Sequence, residues 1–95
     1  MLPIFEWGPD KAEANWIDHK VRFEEAATAF DDPDRLELFD RKHSTAVEER
    51  EIIIGRSEKR RVLFVSFTLR GQRIRLISAR RATRKERNAY ENKST

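Results

Sequence analysis

The sequence predicts an α+β fold: two N-terminal helices, an antiparallel sheet of about four or five strands and a C-terminal helix. Three observations support this prediction. Apolar residues recur at helical spacing early in the chain, they alternate in later segments, and a TRKE capping pattern precedes the last helix. With 95 residues, 38% of them apolar, the chain is expected to form one domain over residues 1–95 with a modest core.

The first helix is expected to follow a short extended segment, Ile4–Trp7, that ends at a Gly-Pro turn. Asp10 is the predicted N-cap, and Glu13, three positions later, completes a capping box. The predicted apolar face of this helix consists of Ala14, Trp16 and Ile17. The N-terminal third therefore begins with a strand-like segment and a capped helix.

A second helix is predicted over Arg22–Phe30, the segment RFEEAATAF. Its apolar residues are spaced by three and four positions, as one face of a helix requires. These residues are Phe23, Ala26, Ala27 and Phe30. Pro33, within DDPD, disfavours helix in the residue before it, so the helix is expected to end there.

The remaining strands are predicted in RLELF (35–39), EIIIG (51–55) and a Gly71-turned hairpin over residues 61–79. The hairpin loop is either Arg70–Gly71 or Gly71–Gln72. Both loops place the same apolar residues on one face: Leu63, Val65, Phe67, Leu69, Ile74 and Leu76. The opposite face is expected to carry Ser66, Thr68, Arg73 and Arg75. One face would then be apolar and the other cationic.

The last helix is expected to begin at Thr83, with Glu86 acting as the reciprocal cap rather than as a general base. Seven basic residues lie between Arg73 and Arg87 against this single acid. The charge split extends to the whole chain: residues 1–50 carry 7 Lys/Arg and 13 Asp/Glu, whereas residues 51–95 carry 13 and 4. A basic surface opposite an acidic one indicates a binding site for phosphate backbones, the alternative being an uneven solvated surface.

Several classes of protein are excluded or disfavoured. The absence of cysteine excludes disulfides and thiolate chemistry. His19 and His43 lack the spacing of metal ligands, so no zinc site and no cofactor are predicted. Since there is no signal-like N-terminus and no long apolar run, we expect a cytoplasmic protein without a membrane partner.

Several segments in order resemble the BrnT family of bacterial toxins, related in fold to RelE-like ribonucleases. They are FEW (5–7), KAEAN (11–15), His19 with VRFEEAATAF (21–30), HSTAVEEREIIIG (43–55) and RIRLISARRATRKERNAYE (73–91) with its preceding hairpin. The chain departs from the usual pattern at Gly8, where an Asp is common. It departs again at Asp18 and Lys20, which flank His19 in place of a basic residue and a Gly.

The resemblance implies an endoribonuclease that inhibits translation. It also implies neutralisation by a BrnA-like antitoxin, in a 2:2 heterotetramer that binds operator DNA through the antitoxin. The RNA substrate would be messenger RNA, either free or associated with the ribosome. The alternative function is a non-catalytic module that binds RNA or antitoxin in operon autorepression.

Cleavage without metal uses the ribose 2′-hydroxyl as nucleophile and requires charge stabilisation on the phosphorane. Arginine is suited to that task, and Arg80 is the first candidate, followed by Arg75 and Arg84. Proton transfer is assigned to His19 or His43, then to Glu49 and Tyr90. The predicted RNA-binding residues are Lys11, Arg73, Arg81, Arg84, Lys85 and Arg87. In the alternative interpretation, the arginines only bind RNA or antitoxin carboxylates.

Overall fold

The computed structural model of the chain describes residues 3–92. Five strands form one sheet in the order β1-β5-β4-β3-β2. The strands are β1 (Ile4–Glu6), β2 (Leu36–Asp40), β3 (Arg50–Arg56), β4 (Val62–Arg70) and β5 (Arg73–Arg81). The α+β prediction is confirmed. The sheet is mixed rather than wholly antiparallel, because β1 pairs in parallel with residues 73–75 of β5 while the other three pairings are antiparallel.

The main core lies between the sheet and the N-terminal helices, α1 (Pro9–His19) and α2 (Phe23–Thr28). A short 3-10 helix, Ala29–Asp31, continues α2, so the predicted helix ends close to its expected boundary. The fully buried residues of this core include Val21, Phe23, Ile53, Leu63, Val65 and Leu76. Edge-to-face ring contacts connect Phe5 to Phe30 and Phe30 to Phe67, which joins the outer strand β1 to the centre of the sheet.

The C-terminal helix α3 (Arg84–Asn92) covers part of the opposite face of the sheet. Tyr90 is its buried residue, and it packs with Ile54 and Val62 in a second, smaller core. Phe64 and Ile52 border that core. The four residues predicted for this face, Ser66, Thr68, Arg73 and Arg75, do lie on it. The face is not cationic throughout, because it is apolar beneath α3.

The hairpin between β4 and β5 has the loop Gly71–Gln72, since Leu69 pairs with Ile74 and Phe67 pairs with Leu76. Gly71 has a φ of 61°, a left-handed conformation that suits glycine in a tight turn. The register then changes: Ser66 pairs with Ser78, so Ile77 is an extra residue on β5. This bulge places Ser78 and Arg80 on the face that carries α3.

The start of α1 differs from its prediction. Gly8, not Asp10, is the N-cap, Pro9 is the first helical residue, and no side chain caps the helix. The predicted apolar face is also wrong, because Ala14, Trp16 and Ile17 are all exposed, and the buried residue of α1 is Asn15. Among residues 3–92, no helix has the length and apolar character needed to cross a membrane.

Candidate active site

Arg80 is held in a defined orientation near the end of β5. Its guanidinium carbon lies 4.1 Å from the centroid of the Phe64 ring, its cross-strand neighbour. Nη1 and Nη2 donate hydrogen bonds to the two carboxylate oxygens of Glu86, at 2.8 and 2.9 Å. These bonds raise the pKa of the Arg80 guanidinium, which stays charged.

One edge of the Arg80 guanidinium remains open. Glu86 occupies the edge formed by Nη1 and Nη2, and Nη1 also donates to the Arg81 carbonyl at 3.3 Å. A guanidinium has five N–H donors and a second bidentate edge, formed by Nε and Nη2. Within residues 3–92, no acceptor is hydrogen-bonded to Nε, and Nη2, which gives one N–H to Glu86, has a second N–H on that edge. It can therefore take two oxygens of one phosphate while Glu86 orients the group from the other side.

Glu86 is the reciprocal cap that the TRKE pattern predicts. The Thr83 amide donates to Glu86 Oε1 at 2.9 Å, and the Glu86 amide donates to the Thr83 hydroxyl at 3.2 Å. The hydrogen bonds from Arg80 lower the pKa of the Glu86 carboxyl, helped by the Thr83 amide. Glu86 is thus an ionised cap that also binds Arg80, and it is poorly suited to accept a proton at neutral pH.

Asn15 attaches α1 to the free edge of β5. Its side-chain amide donates to the carbonyls of Val21 and Ala79, both at 2.8 Å, and accepts from the Ala79 amide at 2.9 Å. Because β1 pairs only with residues 73–75, the backbone of Ala79 has no strand on this side. The Asn15 amide takes the place of that strand, and it is itself buried.

Helix α1 runs alongside β5 in the same direction. At its start, a Cβ added to Gly8 would lie 3.7 Å from Nη2 of Arg75. At its end, the Lys20 carbonyl accepts a hydrogen bond from Arg61, at 3.3 Å, immediately before β4. The start of β4 pairs with the end of β5, so the end of α1 lies toward Arg81.

A groove of about 240 Å³ lies between α1 and the bulged edge of β5. We call it the α1–β5 groove, and its lining residues are Lys11, Ala14, Asn15, Asp18, His19, Ile77 and Ser78. It brings together two predicted site residues, Lys11 toward the Arg75 end and His19 toward the Arg80 end. Arg80 follows Ser78 by two positions on the same face of the sheet.

The structure does not bring Arg75 and Arg80 onto one phosphate. Arg75 Nη1 donates to Glu6 on β1 at 2.8 Å, whereas Arg80 is bound to Glu86 at the start of α3. Five positions separate the two residues, which corresponds to about 15 Å along a strand. Of the candidate arginines, Arg75 and Arg80 therefore lie in two separate sites, one near each end of the groove.

The predicted RNA-binding cations on β5 and α3 also lie in two places, one near each end of β5. Arg73 is exposed at the hairpin end of β5, beside Ile4 of β1. Four exposed cations surround the β5–α3 junction near Arg80: Arg81, Arg84, Lys85 and Arg87. This junction therefore carries most of the predicted basic surface, and its net charge remains positive after Glu86 has paired with Arg80.

His43 lies apart from these residues. It follows β2, at the other edge of the sheet, and its Nδ1 atom is 2.9 Å from the Asp40 carboxylate. Three strand spacings separate β2 from β5, about 14 Å. Glu49 lies at the same distant side, immediately before β3. The structure thus gives neither residue a place in the α1–β5 groove.

Tyr90, another candidate for proton transfer, is a structural residue. It is buried in the second core, and its phenol donates a hydrogen bond to Asp32. Burial raises the pKa of Tyr90, and the Asp32 carboxylate raises it further. The phenol therefore links α3 to the segment that follows the 3-10 helix.

Three residues of the site region were missed by sequence reasoning: Asn15, Glu6 and Phe64. Asn15 gives no periodic signal, and its partner Ala79 is 64 positions away. Glu6 pairs with Arg75 across 69 positions through the parallel β1. A signal existed only for Phe64, an aromatic residue on the predicted hairpin, but its contact with Arg80 depends on the bulge at Ile77.

Comparison with known protein families shows to which family the chain belongs. A family model described as "Ribonuclease toxin, BrnT, of type II toxin-antitoxin system" matches residues 7–86. The chain belongs to the BrnT family. The BrnT-matched range contains α1, the groove residues and the Arg80–Glu86 pair. As a member of a type II toxin family, the chain has an antitoxin partner and an RNA substrate implied by the family description.

A crystal structure of the Brucella abortus ribonuclease toxin BrnT has the same fold, with a TM-score of 0.66 and 20% sequence identity. The alignment covers 87% of this chain and 100% of the Brucella chain. No curated protein matches the sequence. Within residues 3–92, no cluster of three or more His, Asp or Glu side chains is arranged to hold a metal ion.

Proposed function

We propose that this BrnT-family chain is a metal-independent endoribonuclease that cleaves messenger RNA in the cytoplasm and thereby inhibits translation. Its antitoxin is a BrnA-like protein that forms a 2:2 complex with it and supplies the DNA-binding domain for operon repression. The observation that carries the catalytic part is the orientation of Arg80. Glu86 accepts hydrogen bonds from Nη1 and Nη2, and the adjacent Nε–Nη2 edge is open.

In the proposed reaction, the ribose 2′-oxygen attacks the adjacent phosphorus and the bond from phosphorus to the 5′-oxygen breaks. The products are a 2′,3′-cyclic phosphate and a 5′-hydroxyl. Negative charge develops on the non-bridging oxygens, and the open edge of Arg80 donates two hydrogen bonds to them. Because Phe64 and Glu86 fix the guanidinium in advance, little reorganisation is needed as the charge develops.

His19 is the proposed general base. It lies at the end of α1, on the side of the groove nearest the Arg80 end of β5. One of its imidazole nitrogens accepts the 2′-hydroxyl proton, since an unprotonated imidazole nitrogen has a lone pair that can act as a base. Lys11, at the other end of the groove, contacts the RNA backbone beyond the scissile phosphate. The leaving 5′-oxygen takes its proton from solvent.

The remaining arginines are assigned to binding. Arg75 contacts a phosphate beyond the scissile one, because it lies about 15 Å from Arg80 along the strand. The cations at the β5–α3 junction hold the RNA backbone, which makes binding sensitive to salt. The exposed residues assigned this role are Arg73, Arg81, Arg84, Lys85 and Arg87.

A second candidate function is non-catalytic binding of RNA or antitoxin in operon autorepression. The observation that favours it is the pairing of both Arg75 and Arg80 with carboxylates, together with Asp18 beside His19 in the groove. In this case the arginines bind RNA without cleaving it, and the wild-type chain yields no cyclic phosphate at any concentration.

The test compares Arg80→Ala and Arg80→Lys with Arg73→Ala, a control that removes one exposed arginine from the far end of the same strand. Both Arg80 variants should lose about a hundred- to thousandfold in cleavage rate, because oriented donors to the phosphorane are removed. The control should cleave at close to the wild-type rate. RNA affinity should fall only a few-fold in all three variants, since one phosphate contact is lost in each.

The assay measures 2′,3′-cyclic phosphate formation on a labelled RNA, with and without EDTA. A folded Arg80→Ala protein that cleaves at the wild-type rate would remove Arg80 from the mechanism. Loss of wild-type cleavage on chelation would overturn the metal-independent reaction. Growth arrest on expression, relieved by co-expression of the antitoxin, checks translation inhibition and neutralisation in the cell.

A further inference from the structure

The outer strand β2 borders a surface that has no role in the proposed reaction. Among residues 3–92, β2 pairs only with β3, so no described strand pairs with the other edge of β2. We define the β2 edge surface as this strand edge with six neighbouring side chains. They are Leu38, Phe39, Val47, Glu49, Glu51 and Leu69.

The apolar residues of the β2 edge surface are unusually exposed. Leu38 is 42% exposed, Phe39 51%, Leu69 55% and Val47 96%. The strand register places Phe39 beside Glu51 and Glu51 beside Phe67, so Phe39 and Leu69 share one face of the sheet. Val47 lies in the connection between β2 and β3. A group of exposed apolar residues at an open strand edge marks a protein-binding surface.

The same surface is acidic. A groove of about 230 Å³ is lined by Glu48, Glu49 and Glu51, together with Val47, Thr68 and Leu69. Glu48 is paired with Arg50 at 3.2 Å and lies 3.8 Å from Arg70. Within residues 3–92, neither Glu49 nor Glu51 has a cation within ion-pair distance. Among the described residues, Glu49 and Glu51 therefore give this groove two negative charges without a paired cation.

Charge distinguishes the possible occupants. RNA is disfavoured because its phosphates would lie against Glu49 and Glu51. A second copy of this chain is the other occupant to test, because two β2 strands could also pair edge to edge. A protein segment that combines apolar and basic side chains satisfies the apolar area, the open backbone edge and the negative charge at once.

We propose that the β2 edge surface is the docking site for the antitoxin, which adds an extended segment bearing Lys or Arg and apolar residues to the edge of β2. This inference rests on the proposed pairing with an antitoxin and specifies where that partner binds. β2 lies about 14 Å, or three strand spacings, from β5, and the added segment lies one spacing further away. Substitutions on this surface therefore impair neutralisation and leave RNA cleavage intact.

The experiment uses the full chain and the purified antitoxin encoded in the same operon, with the dissociation constant measured by calorimetry. Phe39→Lys should weaken binding at least a hundredfold, since it removes apolar contact and repels a basic segment. Phe39→Glu should weaken binding less than Phe39→Lys. Val47→Lys is a second variant at a position so exposed that folding cannot depend on it, and it should weaken binding about tenfold.

Ile17→Lys is the matched control. Ile17 is also an exposed apolar residue, at 60%, but it lies on α1, far from β2. It should bind antitoxin as the wild type does. All four variants should retain wild-type RNA cleavage, which also verifies that they fold. In cells, Phe39→Lys and Val47→Lys should arrest growth despite co-expressed antitoxin.

Four results would overturn the proposal. Wild-type affinity in both Phe39→Lys and Val47→Lys would place the antitoxin elsewhere while leaving the antitoxin pairing intact. Tighter binding by Phe39→Lys than by Phe39→Glu would exclude a basic segment. A wild-type dimer that Phe39→Lys converts to monomer would assign the surface to a second copy. A wild-type chain that fails to bind antitoxin would remove the pairing itself.

Discussion

Asn15 holds α1 against β5 and so maintains the α1–β5 groove. Its side-chain amide forms hydrogen bonds with three backbone groups: the Val21 carbonyl, the Ala79 carbonyl and the Ala79 amide. Loss of that amide would leave the buried N–H and C=O of Ala79 without partners. The residue is therefore structural in its direct contacts, and the positions of Lys11 and His19 depend on it. The anchor lies four residues from each of them, about one turn of α1.

Asn15→Ala is expected to lower the free energy of unfolding by about 3 kcal/mol, the cost of leaving buried backbone groups unpaired. Urea unfolding measures this change. Asn88→Ala, on the exposed surface of α3, is the control and should change stability by less than about 0.5 kcal/mol. If Asn15→Ala also changed the free energy of unfolding by less than about 0.5 kcal/mol, α1 would be held by other contacts.

Residue-level predictions succeeded where the partners are close in sequence. The cap between Thr83 and Glu86 follows from a spacing of three positions and is confirmed. The second role of Glu86, binding both Nη atoms of Arg80, depends on the angle between β5 and α3, which the local sequence does not encode. The pairs Asn15–Ala79 and Glu6–Arg75 depend on the whole topology.

At the scale of elements, α3 combines two functions that substitutions can separate. Its N-terminal cap stabilises the helix, and the same carboxylate orients Arg80. Thr83 takes part only in the cap, through its hydroxyl and its amide. Thr83 and Glu86 therefore form a matched pair for distinguishing helix stability from arginine orientation.

Thr83→Ala should lower the free energy of unfolding by about 1 kcal/mol and leave RNA cleavage close to wild type. Glu86→Ala should cause a similar loss of stability and also reduce the cleavage rate about tenfold or more, because Arg80 loses its orientation. Cleavage kinetics and thermal unfolding measure the two effects. Equal cleavage by both variants would mean that Glu86 acts only as a cap.

The predictions for α1 and β1 show where the spacing of apolar residues does not predict the buried face of a helix or the partner of a strand. α1 lies at the edge of the sheet and is anchored by a polar residue, so its apolar positions Trp16 and Ile17 do not mark a buried face. Cations lie over Trp16 instead, with the Arg22 guanidinium carbon 4.2 Å from the ring centroid. β1 pairs with a strand nearly 70 positions later, so its parallel direction has no local signal.

At the scale of the whole molecule, part of the charge split in the sequence becomes a spatial separation. Glu48, Glu49 and Glu51 line a groove on the β2 side of the sheet, and basic residues surround β5 and the start of α3. Composition predicted the basic surface correctly, but it could not show that the acidic side also carries exposed apolar residues. The sequence was therefore informative about the basic surface and silent about the exposed apolar residues beside the acidic groove.

A buried carboxylate joins the two layers at the far end of the sheet. Ser57 donates to Glu25 at 2.6 Å, and Arg61 makes a bidentate pair with the same carboxylate. Burial raises the pKa of Glu25, but the hydrogen bonds from Arg61 and Ser57 outweigh this effect and hold the pKa below its ordinary value of 4.5. The pKa of Glu86 is also lowered, chiefly by its hydrogen bonds with Arg80.

These lowered pKa values predict a loss of stability in acid. A carboxyl whose folded pKa lies below its unfolded value contributes stability that is complete above about pH 5 and is lost as pH falls through the folded pKa. Glu25→Gln should cost about 3 kcal/mol at pH 7, since it leaves Arg61 without its anion, and should flatten the acid dependence. Urea unfolding from pH 3 to 7 measures both. Parallel pH profiles for wild type and variant would contradict this account.

The most direct test of the central claim is an NMR measurement of the Arg80 Nε–H resonance, assigned by its loss in Arg80→Lys. A non-cleavable RNA with a 2′-deoxy substitution at the cleavage site is added to the protein. The account predicts a large downfield shift of this resonance, because the Nε–Nη2 edge binds the scissile phosphate while Glu86 keeps the opposite edge. An unchanged Arg80 resonance at saturating RNA would contradict the proposed role of Arg80.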